Sequence, residues 1–225
     1  MKKLIVSAII LVLLILPCGA NESETKITYR RVENSEMKIA LTFDDGPHPY
    51  YTEKILGILE KYNVKATFFF VGQNIGYYPE AAEKVYLSGH EIGNHTFTHK
   101  NVDSMPRGEL FSELGMCDDA IYEIDEYCTR LFRPPQGTFD EQVESAARSM
   151  DYSIILWSID TRDWEHRSSE NIAETVINNV KSGDIILMHD YIGRNSPTPE
   201  ALEIMIPKLL ELGYKFVSVS ELMNS

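Results

Sequence analysis

From Lys38 onward, short β-branched or apolar runs alternate with longer stretches of helical period, and this alternation limits what the chain can fold into. Strand-like runs fall at Lys38–Phe43, Lys65–Val71, His90–Asn94, Thr129–Arg133, Tyr152–Trp157, Asp184–Met188 and Lys215–Val219. The helical stretches between them carry end signals. Pro79 opens one and Gly89 stops it, Thr138 with Glu141 makes a capping box, Ser168 precedes one closed by Gly183, and Pro199 opens one closed by Gly213. Seven strand–helix units in about 185 residues require a parallel sheet, because parallel neighbours need a crossover between them. Periodicity does not choose between an open sheet and a barrel. The chain is short for a complete eight-unit barrel, typically about 250 residues, so a barrel here would be compact or incomplete. With 225 residues and 44% hydrophobic content, one sizeable core and a single domain over residues 37–225 are expected.

Residues 1–36 read differently. Lys2 and Lys3 precede an apolar run from Leu4 to Leu16, and Cys18, Gly19 and Ala20 offer small residues for cleavage, so residues 1–20 read as a secretory signal peptide. The run is short for a membrane span, with an uncleaved anchor as the alternative. Residues 21–36 are polar and unpatterned and read as a tether. A secreted or wall-associated monomer is expected, with no stable membrane insertion once the leader is removed. Losing Lys2 and Lys3 leaves 19 basic residues against 34 acidic ones, a formal net charge of −15, which disfavours nucleic acid and anionic membrane as partners. Cys117 and Cys128 then remain in a compartment that permits disulfides. On one helix they would stand about 16 Å apart, too far to bridge, and neither has metal-site spacing.

The unusual polar residues gather where parallel α/β folds place their active sites, at the C-terminal ends of strands. Asp44 and Asp45 end the first strand, and an extended backbone turns adjacent side chains in different directions, so the two carboxylates can take different tasks. His95 and His99 follow the third strand as an HxxxH pair. On a helix or helical turn the two imidazoles would share a face and, with one carboxylate, form a metal site with open positions; two surface histidines are the alternative. The same region is not a zincin motif, since His90 and His95 are separated by one residue too many. Arg133 precedes Pro134-Pro135-Gln136-Gly137, a stiff turn whose amides could face a cleft. Asp160 and Asp163 lie between Trp157 and Trp164, and His189 ends an apolar strand at the same rim, a position suited to a general acid.

Taken in order, Thr42-Phe43-Asp44-Asp45-Gly46-Pro47, His95-Thr96-Phe97-Thr98-His99, Arg133-Pro134-Pro135-Gln136-Gly137, Asp160-Thr161-Arg162-Asp163-Trp164 and Leu187-Met188-His189 resemble the five motifs of the polysaccharide deacetylases, the NodB-homology domain of carbohydrate esterase family 4. The resemblance covers Met37 to Leu222. It implies a distorted, incomplete (β/α)7–8 barrel that removes N-acetyl groups from the amino sugars of an acetylated polysaccharide or oligosaccharide, such as peptidoglycan, chitin or chitooligosaccharide, releasing acetate. It also implies that Asp45, His95 and His99 hold a divalent metal, usually zinc, with cobalt or manganese possible. Asp44 would be the general base, paired with Arg133. Asp163 would orient His189, the general acid, while Trp164 and Leu187 would line the pocket for the acetyl methyl. At Gln136 the resembling proteins usually have an aromatic residue, so Gln136 keeps the backbone amide there but not the ring. An acetylxylan O-deacetylase and a non-catalytic carbohydrate-binding module on the same scaffold are the alternative readings.

Overall fold

The computed structural model describes residues 26–33 and 36–225; the leader and the start of the tether lie outside the described residues. Among the described residues, nine strands are joined mostly through helices. They are β1 (Thr28–Tyr29), β2 (Lys38–Asp44), β3 (Thr67–Phe70), β4 (Glu91–Asn94), β5 (Leu131–Phe132), β6 (Ser153–Ile155), β7 (Ile159–Asp160), β8 (Ile185–His189) and β9 (Lys215–Phe216). The helices are α1 (Tyr51–Tyr62), α2 (Gly72–Tyr77), α3 (Pro79–Leu87), α4 (Arg107–Tyr122), α5 (Glu141–Ser149), α6 (Ser169–Asn179), α7 (Thr198–Glu211) and α8 (Val219–Met223). All named ladders are parallel, in the order β1-β6-β5-β4-β3-β2-β8-β7, with β9 beside the start of β2. This is a distorted, incomplete (β/α) barrel forming a single domain. No helix of the described residues is long and apolar enough to cross a membrane.

The barrel is incomplete between β6 and β7, which no ladder joins among the described residues. The single strand expected over Tyr152–Trp157 is shorter than its run, and Leu156, Trp157 and Ser158 carry the chain across the opening to β7, which pairs with β8. The stretch expected to be a tether helps cover this opening. Ile27 and Tyr29 carbonyls accept from the amides of Ile154 and Leu156 on one side, and Val32 donates to Gly183 on the other. Arg31 then meets the buried carboxylate of Asp184 at the start of β8. Ile27, Tyr29 and Val32, read as tether in the sequence, are thus hydrogen-bonded to the barrel. A strand of two residues shows no period in sequence; pairing with β6 makes it one.

Alternation along the strands separates two layers of core. Ile39, Leu41 and Phe43 of β2 face outward with Phe68, Phe70, Ile186 and Met188, packing against α1, α6 and α7. Ala40, Phe69, Leu131, Ile155 and Ile185 fill the interior, closed at one end by Val219 and Leu222 of α8. The register continues upward, so Thr42, Asp44, Leu187 and His189 follow the interior line towards the C-terminal mouth.

Most expected helix ends hold. Ser168 caps α6 by accepting from Asn171, and Pro79 is the first residue of α3. Two differ. Asp140 caps α5, accepting from Val143, because Thr138 is still extended three residues before the helix. Helix α6 ends at Asn179, and Gly183, at φ 84°, instead makes the turn into β8.

Gly93 of β4 tests this packing, since a Cβ there would lie 2.5 Å from the Phe69 ring in the barrel interior. Gly93→Ala is expected to destabilise the protein by about 1–3 kcal/mol in urea unfolding, with an unchanged m-value.

Candidate active site

The site begins where β2 ends. Asp44, the last strand residue, points inward and is buried; Asp45 leaves the strand at φ 76°, an unusual conformation for a residue with a side chain. The turn is fixed from outside. Asn74 Nδ2 donates to the Asp45 carbonyl at 2.8 Å, and Val71 N–H donates to the Gly46 carbonyl at 2.9 Å. Gly46 itself has no room for a side chain, since a Cβ would stand 2.0 Å from the Asp190 carboxylate.

His95 and His99 lie on a loop after β4, not on the expected helix or helical turn. Thr96 at φ 66° and His99 at φ 57° fold that loop back on itself, and its polar neighbours offset the strain. Asn94 Oδ1 accepts from Thr96 N–H at 2.8 Å, Thr96 Oγ1 accepts from His99 N–H at 3.1 Å, and Glu113 of α4 accepts from both the amide and hydroxyl of Thr98. Asn94 and Glu113 were absent from the candidate residues. Asn94 adjoins the motif and could have been noticed; Glu113 carries no signal, lying fourteen residues past His99.

One oxygen organises the candidate metal centre. Asp45 Oδ1 lies 3.4 Å from His95 Nε2 and 3.1 Å from His99 Nε2, and the three ligand atoms fall within 4.8 Å of one another. Neither approach has hydrogen-bond geometry, so Oδ1 is buried without a partner. His95 Nδ1 meets the Arg133 carbonyl at 2.7 Å; as the donor there, it leaves the Nε2 lone pair for a ligand. A buried oxygen without a proton donor, facing two imidazole nitrogens, fits a divalent cation. Burial opposes the charge of Asp45, but the neighbouring histidines outweigh it and hold the carboxyl far below its usual range. His99 is raised in turn by Asp45, against its own burial.

Arg133 is fully buried and gives away its donors in all directions. Nη1 donates to Asp44 Oδ1 at 2.7 Å and to Thr42 Oγ1 at 2.8 Å, Nε to the Ile155 carbonyl at 2.9 Å, and Nη2 to the Leu156 carbonyl at 3.2 Å. Its guanidinium also lies 4.1 Å from the Phe69 ring centre. Asp44 Oδ1 is thereby occupied, while Oδ2 lies 3.8 Å from His95 Nε2.

Asp163 plays a comparable part for His189. Its Oδ1 lies 2.8 Å from His189 Nδ1 and accepts from Trp164 N–H; its Oδ2 accepts from His189 N–H at 2.8 Å and from Thr198 Oγ1 at 2.7 Å. Burial works against a charged His189, but the hydrogen bond and charge of Asp163, helped by Asp44 and Asp45, prevail and raise it to about 9. With Nδ1 held by Asp163, Nε2 is the nitrogen left for a ligand.

Asp44, Asp45, His95, His99, His189 and Gln136 line one pocket of about 390 Å³, with Trp164 and Leu187 among its apolar walls. Arg133 and Asp163 stand behind it, so all ten candidate residues converge. Gln136 sits at φ 59° in the short turn after Pro135, and Trp164 is 48% exposed. Trp157 and Asp160 also line the pocket. Both cysteines are free: Cys117 is buried, which pushes its thiol up, and Cys128 is exposed.

Residues 31–155 match the family described as polysaccharide deacetylase. A peptidoglycan-N-acetylglucosamine deacetylase of Bacillus cereus is 40% identical over 195 residues, covering 86% of this chain and 91% of its own. The crystal structure of the Bc1960 peptidoglycan N-acetylglucosamine deacetylase superposes with a TM-score of 0.86 at 32% identity, covering 90% of this chain and 95% of that one. A family 4 acetyl xylan esterase from Clostridium thermocellum, solved with a cobalt ion, gives a TM-score of 0.77 at 35% identity over 83% of this chain and 90% of that one.

The cation fit can be tested directly. The protein is expected to take up about one divalent ion per chain by calorimetry, and Asp45→Ala to abolish uptake. A proton on His99 competes with the ion, so affinity should weaken as pH falls through the raised His99 pKa, by about tenfold per unit for one displaced proton. Uptake that is insensitive to pH or to Asp45→Ala would place the ion elsewhere.

Proposed function

Because the chain belongs to the polysaccharide deacetylase family, we propose that it is a metal-dependent hydrolase that removes N-acetyl groups from amino sugars of a polysaccharide and releases acetate. The observation that carries this reading is the presence, in one pocket, of an open two-histidine, one-carboxylate set beside a carboxylate held by Arg133 and an imidazole held by Asp163. An amide is a weak electrophile with a poor leaving group, and this set answers both problems. A divalent ion on Asp45, His95 and His99, zinc before cobalt or manganese, would polarise the acetyl carbonyl and lower the pKa of a water molecule.

The remaining steps belong to side chains of the chain itself. Arg133 occupies Asp44 Oδ1, so Oδ2 is the oxygen that takes the proton as water attacks. The backbone amide of Gln136 donates to the developing oxyanion. Trp164 and Leu187 enclose the acetyl methyl and exclude water from it. Collapse of the tetrahedral intermediate cannot expel an amine anion, so His189 delivers a proton from Nε2 to the nitrogen as the C–N bond breaks. Asp163 keeps that imidazole oriented and protonated at neutral pH. The leader read in residues 1–20 would bring the enzyme to the wall polymers it acts on.

A second reading, O-deacetylation of xylan, draws support from the likeness to the acetyl xylan esterase. Acetate release from N-acetylchitooligosaccharides, peptidoglycan and acetylxylan separates the two. Release from an N-acetylated polymer is expected, and release from xylan alone would replace the first reading by the second.

The role of His189 has its own control in the leaving group. His189→Ala is expected to lower kcat on an amide by about 10²- to 10⁴-fold while cation uptake persists. An activated aryl acetate leaves as a stable anion without protonation, so its hydrolysis should suffer much less. Equal losses on both substrates would remove His189 from the acid role.

A further inference from the structure

A second pocket, of about 320 Å³, opens beside the first and shares Asp45 and His99 with it. Its outer wall is Tyr191, two residues beyond His189, whose side chain is 40% exposed. The Tyr191 ring stacks on His48, with centroids 4.4 Å apart and planes 6° from parallel. His48 is fixed in its turn. Its Nδ1 accepts from the backbone amides of Tyr50 and Tyr51 at 3.2 and 3.3 Å, and its ring meets those of Tyr51 and Tyr78. The loop carrying Tyr191 is anchored at both ends. Asp190 accepts from Thr52 Oγ1 at 2.5 Å, and Tyr51 Oη accepts from the amides of Asn195 and Ser196.

A half-exposed tyrosine would ordinarily lose its conformational freedom only on binding a partner. Here a stacked imidazole has already ordered it, leaving a rigid aromatic surface beside the catalytic pocket. Apart from Asp45 and His99, nothing charged lines the second pocket, which favours a neutral occupant. The exposed Gln73 amide, with no side-chain hydrogen bond among the described residues, stands on the same wall as Asn74 and can donate to or accept from hydroxyl groups. An apolar ring face flanked by the free amide of Gln73 matches a pyranose, whose C–H face is apolar and whose rim is hydroxylated.

We propose that Tyr191, backed by His48, is the platform of a second sugar subsite. It holds the pyranose next to the one whose acetyl group enters the catalytic pocket, so that the glycan crosses the site over Asp45 and His99. This rests on the deacetylase reading. It predicts that the enzyme prefers oligomers to small acetyl donors and that Tyr191 supplies part of that preference through KM.

The test compares kcat/KM on N-acetylchitotetraose with kcat/KM on an aryl acetate, which fills the catalytic pocket alone, using the cation-loaded enzyme. Tyr191→Ala is expected to lower the ratio about five- to tenfold, through KM on the tetramer, whereas Tyr191→Phe keeps the ring and stays within about twofold of the wild type. An unchanged ratio in Tyr191→Ala overturns the subsite. Equal losses on both substrates, or an equal loss in the phenylalanine variant, do so too, since they would reflect a disturbed loop or a role for the hydroxyl. If the wild type releases no acetate from any glycan, the deacetylase reading fails separately. The subsite is then judged by calorimetric titration of the tetramer into Asp44→Asn with and without Tyr191→Ala: weaker binding in the double variant supports it, and equal or absent binding overturns it.

Discussion

A guanidinium with no exposed surface sits at the centre of this protein, and the arrangement around it depends on keeping that charge satisfied. Removing an ion from water costs several kcal/mol even after relaxation, so Arg133 is tolerable only where acceptors surround it. They come from three strands or their ends: Thr42 and Asp44 of β2, the Ile155 carbonyl of β6 and the Leu156 carbonyl just beyond it, with the Phe69 ring of β3 beneath. The incomplete wall of the barrel lies beside those last carbonyls, and the side chain of Arg133 spans from them to the central strand. The same residue reaches the metal centre through its main chain, since its carbonyl accepts from His95. One buried cation therefore orients Asp44 with its side chain and His95 with its backbone.

The two aspartates at the end of β2 differ because the strand stops between them. Asp44 still obeys the alternation of the sheet and turns inward to Arg133, whereas Asp45 has left it in a left-handed conformation and turns to the histidines. Positive φ recurs at Thr96, His99 and Gln136, so four positions around the pocket are held in conformations that their side chains disfavour. Asn74 bonds Asp45, Asn94 bonds Thr96, Thr96 Oγ1 accepts from His99 N–H, and Glu113 holds Thr98 between the last two. Asp190, buried with one oxygen unpartnered and pushed up to about 7 by burial, fills the space that Gly46 leaves.

The electrostatics also divide the work. Asp45 is held ionised by neighbours that gain from its charge, while His189 is held protonated by Asp163 although burial alone would discharge it. An ionised carboxylate and a protonated imidazole are thus favoured together in one pocket. The residues that would meet the sugar are less constrained: Gln136, Trp164 and Tyr191 lie on turns or loops and are exposed.

The sequence by itself determined the parallel α/β class, because strand and helix periods alternate over most of the chain, and it marked the ten candidate site residues, because they fall at or just beyond strand ends in five short motifs. Local patterns carry both kinds of information, and a strand end is visible wherever an apolar run meets a polar turn. Tertiary structure alone decided the rest. Thr28–Tyr29 and Ile159–Asp160 are strands only because β6 and β8 offer them unpaired edges. The two histidines share Asp45 by way of a loop with positive φ, which a four-residue spacing does not distinguish from a helical turn. Glu113 on α4, Thr198 on α7 and His48 beneath Tyr191 act on residues distant in sequence or outside the five motifs, so no local period marks them. Such partners are selected by the space and the unsatisfied donors left once the barrel has folded, and neither exists until distant segments have met.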